Sequence, residues 1–369
     1  MGMLQEIRKL GELTLLSGQR KKQIAQHELQ DLFWECTLTC NANCKHCGSS
    51  AESKKYDGEL TTNEIKNAFS QIAKDMNAKR ILVNVTGGEP LLRQDLFDVM
   101  KHAIDLGFRW GMTSNGMLFN DETLAKLQET NMETISISID GIGETHDSFR
   151  GVPGSYEKIL ENIAKLKTVK AIRHLQVTTI FHKGNLAELE ALYDVMSGLG
   201  LTSWRVGTMD PIGRGKENED LLLNGQEIKH LLDFVKAKNK KGKLFITYAC
   251  PSFLGLDYEK TVRGYYFNCR TGINVGSILY NGDIYVCPNV ERLKELIQGN
   301  IRTDSFADVW NNKYQQFRTL DRTKCEYCSK CEHWKYCLGG AFHTWHFESN
   351  SQRRCVYDMI YKGEKTNAR

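Results

Sequence analysis

Residues 33–47 read Phe-Trp-Glu-Cys-Thr-Leu-Thr-Cys-Asn-Ala-Asn-Cys-Lys-His-Cys. A short β-favouring run, Phe33 to Thr37, is followed at once by Cys40, Cys44 and Cys47. Spacings of four and three can turn three thiolates to one face of a tight loop. Three thiolates can hold a four-iron cluster and leave one iron without a protein ligand. Zinc stays open as an alternative at this point: it wants a fourth ligand, for which His46 or Cys36 is on offer, although structural zinc sites are usually closed by pairs such as Cys-x2-Cys.

The run at Phe33 is the first of six. Ile81 to Thr86, Trp110 to Thr113, Thr134 to Ile139, Leu175 to Phe181 and Trp204 to Thr208 also read as strands, most of them β-branched or aromatic and bounded by Gly, Asp or Asn. Between them lie helical patterns with apolar residues at three- and four-residue spacing, at Thr62 to Met76, Leu96 to Leu106, Tyr156 to Leu166 and Leu186 to Met196, with Gln226 to Lys238 following the sixth strand. Successive β-α units predict a parallel sheet with helices outside, here an α/β partial (β/α)6 barrel. In such a barrel the reactive groups gather at the C-terminal ends of the strands. After residue 240 the character changes: eight of the twelve cysteines fall between Cys250 and Cys355, and Asn281-Gly282 between two apolar runs signals a β-hairpin. The expected organisation is an N-terminal extension (1–30), a barrel (31–240) and a small cysteine-rich domain (241–369).

Composition excludes several classes. With 41% hydrophobic and 25% charged residues the chain is an ordinary globular sequence, and no apolar run is long enough to span a membrane. A net charge of +4 does not argue for nucleic acid. The first thirty residues lack a signal-peptide core, and Glu6 stands where a myristoylation signal wants Ser or Thr. The expectation is a cytoplasmic protein with neither nucleic acid nor membrane as partner. In a reducing compartment twelve cysteines point to metal rather than to disulfides.

Further motifs follow the strands in order. Gly87-Gly88-Glu89-Pro90 comes after the second, Thr113-Ser114-Asn115-Gly116 after the third, and Ser138-Ile139-Asp140-Gly141 after the fourth, with His146-Asp147 and Arg150-Gly151 downstream. Each is weak alone, but behind the cysteine loop and at successive strand ends they make residues 31–240 resemble the radical SAM superfamily. The resemblance implies that Cys40, Cys44 and Cys47 hold a [4Fe-4S] cluster whose open iron chelates S-adenosyl-L-methionine. It also implies reductive cleavage to a 5′-deoxyadenosyl radical, with a flavodoxin or ferredoxin as electron donor. Gly87 and Gly88 would allow close backbone approach, and Glu89 would offer an acceptor to the ammonium group. Ser114, Asn115 and Ser138 would give neutral hydrogen bonds to ribose and carboxylate, and Asp140 joins the cofactor-binding set. Arg150 would pair with the carboxylate, and His46 would lie near the adenine.

The C-terminal spacing is similar to the SPASM extension of that superfamily, which implies two auxiliary iron–sulfur clusters. Cys269 precedes Gly282 by twelve intervening residues and Cys287 follows it after four; then come Cys328-x2-Cys331-x5-Cys337 and Cys355. Where the extension expects a further cysteine, four residues after Cys337, this chain has Ala341. The expected division is one cluster on Cys328, Cys331, Cys337 and Cys355, and another on Cys269 and Cys287 completed by Cys250 and Cys325. Cys36 is left as a buried thiol. SPASM proteins mostly modify peptides, so the expectation is a peptide maturase acting on a peptide or protein by crosslinking, epimerisation or oxidation. Residues 1–30 are too short for the separate leader-binding domain that many relatives carry. The alternative is radical oxidation of a small molecule such as a sugar or an amino alcohol.

Overall fold

The computed structural model describes residues 3–249, 251–319 and 325–363. Its frame is a parallel sheet of β1 (Asp31–Thr37), β2 (Leu82–Gly87), β3 (Arg109–Ser114), β4 (Thr134–Ser138), β5 (His174–Phe181), β6 (Ser203–Thr208) and β7 (Ile246–Tyr248), hydrogen-bonded in that order. Between them run α2 (Thr62–Asp75), α3 (Leu96–Asp105), α4 (Asp121–Glu129), α5 (Glu144–Arg150), α6 (Ser155–Leu166), α7 (Leu189–Gly198) and α8 (Gly225–Lys241). All six strands expected from the sequence are present, each within two residues at either end.

The alternation of burial shows why these runs become strands of this sheet. In β5, Leu175, Val177 and Phe181 are buried toward the helices, while Gln176, Thr178 and Ile180 on the other face are half-buried. That second face lines the barrel interior, and it is polar: Ser136 and Thr178 share a 2.7 Å hydrogen bond there. Trp34, Trp110 and Trp204 are fully buried on the helix side, Trp110 donating to Thr130 O at 2.7 Å. The helices start where their caps dictate. Thr61 and Glu64 close a capping box on α2, and Asn224 and Glu227 do the same on α8.

The cysteine-rich region is joined to the barrel through the sheet. Its hairpin pairs β8 (Val275–Ile278) antiparallel with β9 (Asp283–Tyr285), turning at Gly282 with φ +89°, and β10 (Gly299–Asn300) extends the edge. Strand β8 also pairs parallel with β1, from Asp31 opposite Val275 to Trp34 opposite Ile278. The hairpin anticipated at Asn281-Gly282 is therefore part of the ten-stranded sheet that carries the cysteine loop.

Residues ahead of β1 form α1 (Met3–Gln26), a helix laid against the C-terminal region. Its docked face carries Leu13 together with two buried cations. Lys9 donates to Leu256 O, and Arg20 donates to Phe267 O at 3.0 Å, Tyr336 O at 3.2 Å and Asn268 Oδ1 at 2.9 Å. Arg20→Ala leaves two buried carbonyls without this donor, a loss on the order of 1–3 kcal/mol. The expected outcome is faster proteolytic removal of residues 3–26 with the barrel intact; an unchanged cleavage rate would show that Leu13 and Lys9 alone hold the helix.

Candidate active site

The cysteine loop is shaped by its own backbone and by two arginines. Cys40 N donates to Glu52 O at 2.9 Å and closes the loop, while Cys47 N donates back to Cys44 O at 3.2 Å. From the C-terminal end of α5, Phe149 O and Arg150 O accept from Lys45 N and Asn43 N, each at 3.0 Å. From the loop after β6, Arg214 donates to Cys44 O and Ala51 O, both at 2.8 Å, and its own N–H reaches Cys47 O at 3.1 Å. Cys40 and Cys44 are buried beside Ala42 and Ala51, with Cys47 packed against the same small apolar cluster. Burial pushes the Cys40 thiol up to about 11, and the neighbouring thiols of Cys44 and Cys47 add to the effect. Burial also raises Cys44, against the pull of Arg150, whose Nη1 lies 3.4 Å from the sulfur.

Beside the loop, Gly87 and Gly88 are required by close approach. A Cβ on Gly87, at φ +140°, would lie 2.1 Å from Thr37 O, and one on Gly88 would lie 2.2 Å from Thr39 O. Their neighbours bind the same strand end, Gly88 N to Thr37 O at 2.8 Å and Glu89 N to Thr39 O at 2.9 Å. The Glu89 carboxylate is fully buried and accepts from Ser114 Oγ, from Asn115 N at 2.8 Å and from Leu91 N at 3.2 Å. Burial raises it to about 7 in spite of these bonds. Asn115 in turn donates to Asn41 Oδ1 of the cysteine loop at 2.7 Å. The Gly-Gly-Glu and Ser-Asn segments are thus one bonded unit with that loop.

Asp140 and Arg150 form a buried ion pair at 2.5 Å. Burial opposes both charges, but each is held by the other: Asp140 stays below the usual carboxylate range and Arg150 above its own. Asp140 also accepts from Ile180 N at 2.7 Å, and its N–H donates to His146 Nδ1 at 3.0 Å. Among the described residues Arg150 Nε is buried without a partner. His46 stacks on Phe149 with ring centroids 4.8 Å apart, and Phe149 stacks on His182 at 3.9 Å. Burial depresses His46 to about 3 and His182 to about 4, so both imidazoles are neutral near pH 7. Their Nδ1 and Nε2 atoms, respectively, have no partner among the described residues. Ser138, half-buried, ends β4 beside this group.

The residues fit a cluster and a zwitterionic ligand. Three thiols on one tight loop, one fixed cation with an unspent donor and a neutral ring with a bare nitrogen are what an anionic cluster and an amino-acid carboxylate would meet. Among the described residues no three His, Cys, Asp or Glu side chains converge closely enough to hold a single ion.

In the C-terminal region, Cys328, Cys331, Cys337 and Cys355 line one narrow cavity with Phe253, His333 and Tyr357. Burial pushes Cys355 up to about 12; it raises Cys328 as well, with the neighbouring Cys325 thiol adding to the shift. Cys269 precedes β8 and Cys287 follows β9. Cys250 lies outside the described residues. Ala341 is buried, and its N–H donates to Pro251 O at 2.9 Å. Cys36 is fully buried in β1.

Six participants escaped the sequence reading. Arg214 was signalled only by the Gly-Arg-Gly run after β6, and Phe149 and His182 carried no local mark. Asp210, two residues past β6, faces His343 of the C-terminal region at 3.9 Å; both keep some exposure although burial raises the carboxyl and lowers the imidazole. Arg205 on β6 is close enough to add to the lowering of His343.

Residues 34–196 match the Radical SAM superfamily, and residues 269–332 match the SPASM iron-sulfur cluster-binding domain. An AdoMet-dependent heme synthase of Methanosarcina barkeri is 31% identical over 325 residues, 84% of this chain and 90% of that protein. The mycofactocin maturase MftC of Mycobacterium tuberculosis is 28% identical over 316 residues, 84% of this chain and 77% of that protein. The crystal structure of Streptococcus suis SuiB bound to S-adenosylmethionine superposes with a TM-score of 0.68 at 17% identity, over 89% of this chain and 77% of that one.

Two outcomes follow from this geometry. Arg150→Gln should lower 5′-deoxyadenosine formation about 10–100-fold, the scale for losing a group that orients a metal ligand, while Arg150→Lys keeps the charge and part of the rate. Glu89 binds its proton more tightly folded than unfolded, so its contribution to stability is full below pH 4.5 and is lost as pH rises to about 7. Thermal unfolding of Glu89→Gln should lose that slope; a slope equal to the parent's would show Glu89 ionised in the fold.

Proposed function

The chain belongs to the radical SAM superfamily and carries a SPASM extension, and on that premise we propose that it removes a hydrogen atom from a peptide or protein and thereby modifies it after translation. It is an enzyme of a family that binds S-adenosylmethionine, a four-iron cluster and auxiliary iron–sulfur clusters. When bound, the four-iron cluster supplies the electron that splits the sulfonium and yields the 5′-deoxyadenosyl radical. Cys40, Cys44 and Cys47 would hold it, and Arg150 Nε would meet the methionyl carboxylate. Gly87 and Gly88 leave backbone open to the ammonium group, with Glu89 fixing their loop. Ser114, Asn115 and Ser138 would serve the ribose and carboxylate and His46 the adenine, while Asp140 keeps Arg150 charged.

For the auxiliary clusters, Cys328, Cys331, Cys337 and Cys355 form the first set. Cys269 and Cys287 begin the second. For the cysteine missing at 341, Cys250, the residue before Pro251, is the substitute by its place in the sequence, with Cys325 as the other candidate. An N-terminal extension, a barrel and a cluster-bearing region remain the proposed organisation, with the parallel sheet running on through β7 (Ile246–Tyr248) past the boundary first drawn near residue 240.

The observation that carries the peptide reading is the likeness to the mycofactocin maturase, which spans 84% of the chain. A second reading, a small molecule of the tetrapyrrole class, is favoured by the heme synthase, matched over 90% of its length. Both substrates bear carboxylates, and the polar interior with Arg205 and His343 is compatible with either. The test is to reduce the anaerobically reconstituted protein with S-adenosylmethionine and measure 5′-deoxyadenosine. Release by the parent and none by Cys40→Ala, with C-terminal iron retained, is expected; release by that variant refutes the ligand assignment. Adding candidate peptides, taken from any short reading frame found beside the gene, should couple release to a change in peptide mass. A change in added iron coproporphyrin III, with none in the peptide, would replace the first reading by the second.

A further inference from the structure

The outward face of α1 is unlike the rest of the surface. Leu4, Ile7 and Leu15 are 82%, 60% and 71% exposed. With Gly11, Gly18 and Lys22 they fall at spacings of three and four and so share one side of the helix. That side is diametrically opposite Leu13, the buried residue of the docked face. It is smooth as well as apolar, since nothing lies within 4 Å of where a Cβ would stand on Gly11 or Gly18. Glu6 sits half a turn away from Leu15, and Glu12 is taken up by Arg8 and Lys260. The outward face therefore carries no acidic group.

A second observation lies on the same flank. The end of α8 and the loop after it read Lys240-Lys241-Gly242-Lys243-Leu244-Phe245, in which all three lysines are exposed and Phe245 is 48% exposed. The Phe245 ring borders Gly264, in the very segment, residues 256–268, to which Lys9, Glu12 and Arg20 tie α1. Lys21, Lys22, Lys240, Lys241 and Lys243 have no ion-pair partner among the described residues. Glu6 and Asp257 are exposed acids nearby, and both stand toward the docked side, Asp257 beside Lys9.

We propose that this flank, the outward face of α1 with the lysine-rich end of α8, docks the enzyme on an anionic lipid surface. A stripe of Leu and Ile with lysines at its end and an exposed aromatic beside it is the composition of a helix that lies in the headgroup region without spanning the bilayer. Charge selects this occupant. A second copy of the chain would bring ten unpaired lysines together, five from each face, whereas anionic headgroups answer them and the shallow apolar layer takes Leu4, Ile7, Leu15 and Phe245. Such docking is independent of the radical chemistry, and it revises the expectation, drawn from the lack of a spanning segment, that no membrane is involved.

Flotation of the reconstituted full chain with vesicles tests it. Vesicles of phosphatidylcholine with phosphatidylglycerol should carry the protein, pure phosphatidylcholine vesicles should carry far less, and binding should weaken as salt is raised. Leu4→Glu/Ile7→Glu/Leu15→Glu should weaken binding about tenfold or more, and Lys240→Glu/Lys241→Glu/Lys243→Glu should do the same from the other half of the patch. Iron content and unfolding temperature should stay at parental values in both, because every changed side chain is exposed. No flotation with either vesicle, or parental binding by the triple variants, overturns the proposal. So does a parental dimer in sedimentation velocity that the α1 variant dissociates, since the face would then belong to a second copy.

Discussion

A single buried cation organises the site. Arg150 is placed where Asp140, the Cys44 sulfur and the end of the cysteine loop meet. A guanidinium taken out of water is costly unless its charge is answered, and breaking one side of such a pair leaves the other uncompensated. Asp140 answers it here, and Asp140 is in turn fixed by Ile180 N and by the contact of its own N–H with His146. Strands β4 and β5, helix α5 and the cysteine loop are therefore joined through one ion pair. Its position relative to the thiols follows from the barrel register: β4 and β5 pair from Thr134 to Ser138, which brings Asp140 beside Ile180 at the mouth.

Around that charge the ionisable rings are kept neutral. His46, Phe149 and His182 form a stack, and burial holds both imidazoles well below neutral pH. A protonated imidazole here would stand beside Arg150 and repel it. The neutral ring avoids that and leaves Nδ1 of His46 able to accept a hydrogen bond. The same economy of charge shows at Glu89. Its carboxyl is raised to about 7, and its bonds to Ser114, Asn115 and Leu91 couple two strand ends to each other.

Much of the barrel could be read from the chain because its strands are buried on one face and packed as β-branched and aromatic runs, and because parallel β-α units leave a simple period. The Gly-Gly-Glu, Ser-Asn and Ser-Ile-Asp segments were legible for the same reason, each ending a strand. What escaped depends on pairings distant in sequence. Nothing local in Val275–Ile278 announces β1 as its partner, 240 or so residues earlier. Nor does the run of residues 3–26 show that its helix will lie against residues 256–268, since that docking rests on scattered contacts of Lys9, Glu12, Leu13 and Arg20. Arg214 and His182 are ordinary loop residues until the fold delivers them to the cysteine loop and the ring stack.

The pairing of β8 with β1 has a chemical consequence. The hairpin leads directly to Cys287, and its first strand lies beside the strand that ends at the cysteine loop, so the relative placement of the two cysteine regions is set by backbone hydrogen bonds rather than by a hinge. Asp210 on the barrel side and His343 on the other meet across this fixed junction. They are one of several charged pairs that join the two regions, with Lys216–Glu291, Arg292–Glu35 and Arg302–Glu64. Burial favours the uncharged form of each, so a proton passed from the Asp210 carboxyl to His343 would create an ion pair, each charge answered by the other across their contact.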